Sequence, residues 1–375
     1  MWIAAFSVGL AVDGWVLTRE PLATGLTDFH QFFQSTHAWR SGAPMYPPVA
    51  QGDRVVYNLN PPHFHFLILP LLSLSTPWAF AVWTLLGIAC LAAVLWRILP
   101  PWFARLREPL WPVALFGWLF VTPITAAVLV TGAPVWVLLP LLWAARSAHQ
   151  EGLLLRAGVL LGVLASIKPF LLLLLPWLAL RGDWRAVTAC TMTMLAAIGI
   201  GLAAFGPHAY ADWWHGVRAS EGWAWGQLNA SLAALTSRSF STTPYWAPLS
   251  TALPAWTIWM ILVVAVLVVT AQQIGTVSLD RGWPLLIATS LLVNPLGWIY
   301  YIWWLIPLLI GRPLGAPTLA GFALLTVAPW AIFSGQPSVL LTVTLAASYV
   351  WGLLCVWAGL LVEPPAEHPA PAAAA

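Results

Sequence analysis

Thr27-Asp28-Phe29-His30 opens, and Asn58-Leu59-Asn60-Pro61-Pro62 closes, a polar stretch set between apolar segments. Gln31, Gln34, His37, Arg40, Asp53 and Arg54 lie between the two ends. A chain with only 7% charged residues does not gather so many polar groups for packing. The stretch reads either as an ordinary connector outside a membrane or as a lid over a reaction site. Its surroundings decide the fold. Of 375 residues 61% are hydrophobic, and the mean hydropathy is +0.84. No soluble fold of this size covers such a surface, so the class is all-α: a polytopic integral membrane helical bundle. The net charge of +3 comes without basic runs, so nucleic acid is not an expected partner. Cys90, Cys190 and Cys355 are widely separated and read as small core residues, not as a metal site or a disulfide framework.

Outward from that stretch, Met1 to Thr18 has about the length that crosses a bilayer at 1.5 Å per residue. It lacks a basic start and an Ala-x-Ala exit, so it is read as a first transmembrane helix. The polar loop runs over about 19–60, with one short amphipathic helix expected over 27–41. Residues 63–75 are apolar but short, a half-helix or interfacial helix, and 77–98 form a full span. Further spans are expected near 110–131, 134–145, 153–167, 170–180, 186–205 and 251–271. Residues 283–311 are broken at Asn294-Pro295-Leu296-Gly297-Trp298-Ile299-Tyr300-Tyr301. Spans near 315–334 and 338–361 complete about eleven or twelve. A second outer loop covers about 206–250. Residues 1–362 form one transmembrane domain, and the Pro/Ala-rich tail 363–375 is read as disordered.

Arginines cluster at alternate turns (Arg97, Arg105, Arg107; Arg146, Arg156; Arg181, Arg185; Arg281), which marks those turns as cytoplasmic. Asp28, Lys168, the 206–250 loop and Asn294 then share the outer side. Asp28 has a plain reading as a helix cap, stabilised by free N–H groups. Lys168 is the single lysine against fourteen arginines. It either snorkels to the interface or meets an anion, and a lipid phosphate suits an ammonium placed there. Together the two residues supply the acid–base and charge chemistry of transfer from a lipid-phosphate donor. No metal-ligand cluster and no glycine-rich phosphate loop is visible, so neither a metal nor another cofactor is expected.

Five pieces of sequence resemble glycosyltransferase family 87, the polyprenyl-phosphate-mannose-dependent α-mannosyltransferases of the multi-pass GT-C kind. They are Asp28-Phe29 followed by Gly42-Ala43-Pro44-Met45-Tyr46; Tyr57 to Pro62, similar to the family's Tyr-x-Tyr-Pro-Pro; Lys168-Pro169 before a leucine run; Asn229-Ala230-Ser231-Leu232, similar to Asn-Gln-Ser-Leu; and Asn294-Pro295-Leu296-Gly297-Trp298, similar to Ser-Pro-x-Ser-Trp. The chain departs from the pattern at Gly132-Ala133, where Gly-Gln is usual, at Ala230, and at Tyr300-Tyr301, where the family usually carries histidine.

The resemblance implies a GT-C fold and an inverting glycosyltransferase. A sugar, mannose most often, would move from a polyprenyl-phosphate donor to a hydroxyl of a lipid-linked or cell-envelope glycan. Asp28 would be the general base. Lys168 would hold the phosphate, helped by Arg218 and Tyr300 or Tyr301, and His30, Tyr57, Asn60, Asn229 and Trp298 would shape the substrate site. The expected place is a bacterial cytoplasmic membrane, the bias toward Arg, Ala and Trp pointing to a GC-rich bacterial gene, with the site facing outward. Three other readings stay open: a transporter or flippase of lipid-linked sugars, a structural membrane protein, and a catalytically idle family member.

Overall fold

A computed structural model of the chain describes residues 28–51, 54–105, 122–220, 224–242, 248–275, 277–310, 314–327 and 338–362. The expected first crossing at Met1–Thr18, most of the 110–131 crossing, and the tail lie outside them.

Helix α1 (Asp28–Arg40) is the short helix expected in the first polar stretch, with Phe29, Phe32 and Phe33 buried beside Ser35 and Thr36. A small antiparallel hairpin follows, β1 (Val49–Gln51) against β2 (Arg54–Val56). The apolar run after it forms two short 3₁₀ helices, Pro62–Leu67 and Leu69–Ser73, not one long span. Helix α2 (Thr76–Arg105) is a full span and outruns the 77–98 reading. Helices α3 (Pro123–Thr131) and α4 (Val135–Gln150) meet at a bend of 113°. Helix α5 (Leu154–Ile167) stops at Lys168, where Pro169–Leu173 turns as a 3₁₀ helix into α6 (Leu174–Leu180).

Helix α7 (Trp184–Ala219) corrects the expected loop at 206–250. A Gly-Pro pair reads as a helix end, and Gly206 does leave helical geometry at φ 81°. Pro207 then starts a fresh helical segment, because its fixed φ suits a first turn and its missing N–H costs nothing there. The rest of that region carries α8 (Leu232–Phe240). After α9 (Ala255–Ile274) and α10 (Leu279–Val293) the chain breaks at Asn294, as the Asn-Pro pair predicts. It resumes as a 3₁₀ helix, Ile299–Trp304, then α11 (Ile306–Leu309), α12 (Ala316–Leu324), α13 (Val339–Val343) and α14 (Ser348–Val362).

The molecule is an all-α membrane bundle. Among the described residues α2, α7, α9 and Leu340–Val362 are long and apolar enough to cross a bilayer, with α3 and α4 a fifth if the bent pair is one span. The other expected crossings fall on shorter apolar helices such as α5 or outside the described residues. Small residues let α5 and α7 touch. A Cβ at Gly162 would stand 2.6 Å from the Cys190 carbonyl oxygen, and Gly158, one turn earlier, faces Ala186 and Ala189 just as closely. This small-xxx-small contact is how membrane helices gain packing without a hydrophobic driving force. It also accounts for Cys190, buried as a small core residue.

The two ends of α5 differ in chemistry. At its start the α4–α5 turn gathers structural polar contacts: Arg146 pairs with Asp280 at 2.7 Å, His149 Nε2 donates to Asp183 at 2.9 Å, and Trp283 Nε1 donates to His149 Nδ1 at 3.1 Å. At its finish stands Lys168. The Arg146–Asp280 contact thus lies at the end of α5 opposite Lys168.

Gly132, at the α3–α4 bend, couples this frame to α1. Its φ of 65° is left-handed, and a Cβ there would stand 2.7 Å from Phe29 Cβ and 2.9 Å from the Phe80 ring. Gly132→Ala therefore strains the backbone and pushes Phe29, the neighbour of Asp28. The expected cost is roughly 2–5 kcal/mol from the two effects together. A lowered unfolding temperature in lipid would register it; an unchanged one would mean that the bend relaxes freely.

Candidate functional site

Asp28 occupies the first turn of α1, where the helix dipole favours negative charge. Its Oδ2 accepts a hydrogen bond of 3.1 Å from the Tyr300 hydroxyl. Lys168 caps the end of α5, and its Nζ donates to Asn60 Oδ1 at 2.7 Å. The ammonium also lies over the Tyr301 ring, 5.4 Å from the centroid, a cation–π contact. Asp28 and Lys168 feel each other's charge without closing into an ion pair. Both residues remain half-buried, so the pair is reachable while its charges sit largely out of water. Both lie at helix ends, outside the apolar spans. Burial pushes the Asp28 carboxyl up to about 6, against the opposing pull of the Lys168 charge and the Tyr300 hydrogen bond. Burial likewise brings the Lys168 ammonium down to about 8, with the Asp28 charge resisting.

A chain of hydrogen bonds ties these groups to one frame. Asn60 Nδ2 and its backbone N–H both donate to Asn58 Oδ1, at 3.2 and 3.0 Å. Asn58 Nδ2 spends its two hydrogens on Ser35 Oγ at 3.1 Å and His65 Nε2 at 3.0 Å. Since His65 Nε2 accepts, its proton is on Nδ1, which donates to Thr36 Oγ1 at 2.7 Å while the Thr36 hydroxyl donates to the Phe32 carbonyl. Donors and acceptors alternate without conflict from α1 to Lys168. The helix that carries Asp28 is thus hydrogen-bonded to the residue that holds Lys168. Sequence reading missed Ser35, Thr36 and His65, and gave Asn58 no role of its own. The available signal was two polar residues on the phenylalanine face of α1, which need partners once buried.

The two late motifs dock onto each other. Asn229 pairs with Trp298 in an antiparallel bridge, with Ala230 N–H donating to Gly297 O at 2.7 Å and Ile299 N–H to Leu228 O at 2.8 Å. Asn229 Nδ2 donates to Ala224 O and Pro295 O, and its Oδ1 accepts from Ser231 N–H. Arg238, 1% exposed, donates to the carbonyls of Trp225, Gly226, Asn229 and Ala346 and locks the loop from behind. Asn229 is fully enclosed, its amide committed to this clasp, so it bears on the site by holding the turn that presents Tyr300 and Tyr301. Trp298 stacks on Tyr300, and Phe170, two residues beyond Lys168, packs edge-on against Tyr301.

The structure therefore joins Asp28, Asn60, Lys168, Tyr300 and Tyr301, and sets Trp298 and Asn229 behind them. His30 sits half-buried two positions along α1, on a different face from Asp28. Tyr57 packs on His215, and Arg218 is exposed on the last turn of α7; neither contacts the Asp28–Lys168 pair. Among the described residues no three His, Cys, Asp or Glu side chains come together as a metal would require.

A family model described as Glycosyltransferase family 87 matches residues 58–295, more than half of the chain. The matched range contains Asn60, Lys168 and Asn229, and leaves Asp28 before it and Tyr300 after it. Searches of curated proteins and of solved structures find no match.

Proposed function

The chain belongs to glycosyltransferase family 87, and from that premise we propose that it moves a sugar, mannose by preference, from a polyprenyl-phosphate donor to a glycan or glycolipid hydroxyl. The observation that carries this reading is the Asp28–Lys168 pair, a carboxyl held by Tyr300 beside an ammonium held by Asn60. Asp28 takes the proton of the acceptor hydroxyl as its oxygen forms a bond to the anomeric carbon. The bond from that carbon to the phosphate oxygen breaks on the opposite face, and the electron pair leaves with polyprenyl phosphate. Lys168 offsets the charge that develops there. One displacement inverts the anomeric centre and needs one base, with no second carboxylate as a nucleophile. In this reading the pair faces the outside of a bacterial cytoplasmic membrane, where a lipid-linked donor presents its head group. The separation of structural arginine contacts from Lys168 along α5 supports that orientation.

The direct test is transfer by the purified protein in lipid, with radiolabelled polyprenyl-phosphate mannose and pooled bacterial glycolipids as acceptors. Label passing to a new product supports the reading; donor and acceptor both bound without transfer would count against it. Membrane-impermeant labelling of a cysteine placed at residue 28, from each side in turn, tests the orientation, and cytoplasmic labelling would end the outward model.

The same pair predicts the pH response. Asp28 must be ionised to act as base, so kcat/KM falls as pH drops through about 6. Lys168 must be protonated to hold phosphate, so it falls again as pH rises through about 8. The Tyr300 hydrogen bond favours the ionised carboxyl. Tyr300→Phe should therefore move the acid limb to higher pH and leave the alkaline limb in place. A pH profile of kcat/KM with both limbs unmoved would detach Tyr300 from the base.

A further inference from the structure

A cavity of about 400 Å³ opens beside the far end of α1, lined by Tyr46, Tyr57, Asp212 and His215 together with prolines of the 44–48 turn. Its volume lies in the range of small-molecule sites. We propose that this cavity is a carbohydrate subsite, which holds a sugar of the acceptor remote from the reacting hydroxyl; the proposal rests on the glycosyl-transfer reading above.

Position and chemistry both argue for it. Ala38, which also lines the cavity, follows Asp28 by ten residues of helix, about 15 Å along the axis at 1.5 Å per residue. That is the reach of a short oligosaccharide, not of a single sugar. The cavity wall is pinned to the loop that serves Lys168. Tyr46 Oη donates to the Asn60 carbonyl at 2.7 Å, and Trp213 Nε1 donates to the Leu59 carbonyl at 3.0 Å. Asp212 and His215 stand one turn apart on the segment of α7 beyond Gly206, so the kink in that helix brings them over the first loop. A pyranose offers an apolar C–H face and an edge of hydroxyls. Tyrosine and proline surfaces take the face, and a carboxylate and an imidazole take the edge. A lipid tail would find two polar groups on the wall, and a phosphate would meet the Asp212 carboxylate. A neutral, hydroxyl-rich ligand is the class that fits.

Binding energy gathered here would be spent at the distant reacting hydroxyl, which makes the enzyme favour acceptors of several sugars over single ones. The test titrates methyl α-mannoside, a linear α-mannotrioside and a linear glucotrioside onto the full chain in lipid nanodiscs, read by saturation-transfer NMR. We expect one trioside to bind at least tenfold more tightly than the methyl glycoside. Asp212→Asn and Tyr57→Ala should each weaken it by about tenfold, the loss of a hydrogen bond to a charged acceptor or of a stacking face. Tyr57 also packs on Gly216, so if Tyr57→Ala lowers the unfolding temperature, Asp212→Asn alone decides. If no donor supports transfer while trioside binding still depends on Asp212, the transfer reading falls and the subsite stands. Equal affinity for one sugar and three, no binding of either trioside, or binding indifferent to Asp212→Asn overturns the subsite.

Discussion

Asp28→Asn is expected to lower the transfer rate by about 10²–10⁴-fold, the range that a positioned general base contributes. The asparagine keeps the shape of the side chain and an oxygen for the Tyr300 hydroxyl, so the geometry of α1 should survive. What disappears is the proton acceptor. Donor binding should be retained, with one condition set by the neighbouring charge. The Asp28 carboxylate helps keep the Lys168 ammonium protonated, so the variant loses some of that support and Lys168 titrates lower than about 8. Affinity for the donor is therefore best compared near pH 6, where Lys168 stays charged in both proteins. Normal turnover in Asp28→Asn would remove Asp28 from the chemistry. Lost donor binding at pH 6 would instead make its role structural.

Much of this frame was legible in the sequence because membrane chains mark their irregularities loudly. In hydrocarbon a break is tolerated only where protein or a cavity covers it. Lys168-Pro169 in a leucine run, the short 63–75 segment and Asn294-Pro295 each had to be a break, and each is one. Asp28 at the start of a short helix was equally plain. The links between these breaks were not legible. Lys168 meets Asn60 across 108 residues, and Tyr300 meets Asp28 across 272. Nothing local in either motif encodes such a meeting. His65 lies beside His63 at the head of a largely apolar run and was passed over, although a buried imidazole demands two partners and finds them in Asn58 and Thr36. Asn229 illustrates the converse: its motif was visible, but only its hydrogen bonds to Ala224 O, Pro295 O and Ser231 N–H show that its amide is committed to backbone groups. The polar content beyond Gly206 reads as a loop, but Gly206 only turns the chain and Pro207 restarts a helix at once.

Removal of the Lys168 charge should have its largest effect on donor affinity. The ammonium is half-buried and held at 2.7 Å by Asn60, a placement that has already lost part of its hydration. A phosphate that displaces or shares the Asn60 contact meets a charge weakly screened by water. Truncating one partner of such a pair costs about 2–5 kcal/mol, or about 30- to 5,000-fold in Kd. Lys168→Met is the better variant, because it keeps the stem over Tyr301 and removes only the charge, whereas Lys168→Ala also opens a void. A second readout separates charge from packing. The Lys168 charge holds the Asp28 carboxyl down, so without it the acid limb of the pH profile should rise above about 6. Weaker donor binding together with a raised acid limb places the ammonium between base and phosphate. A raised limb with unchanged donor affinity would confine Lys168 to tuning Asp28, and the phosphate would need another cation, with Arg218 on α7 the first to examine.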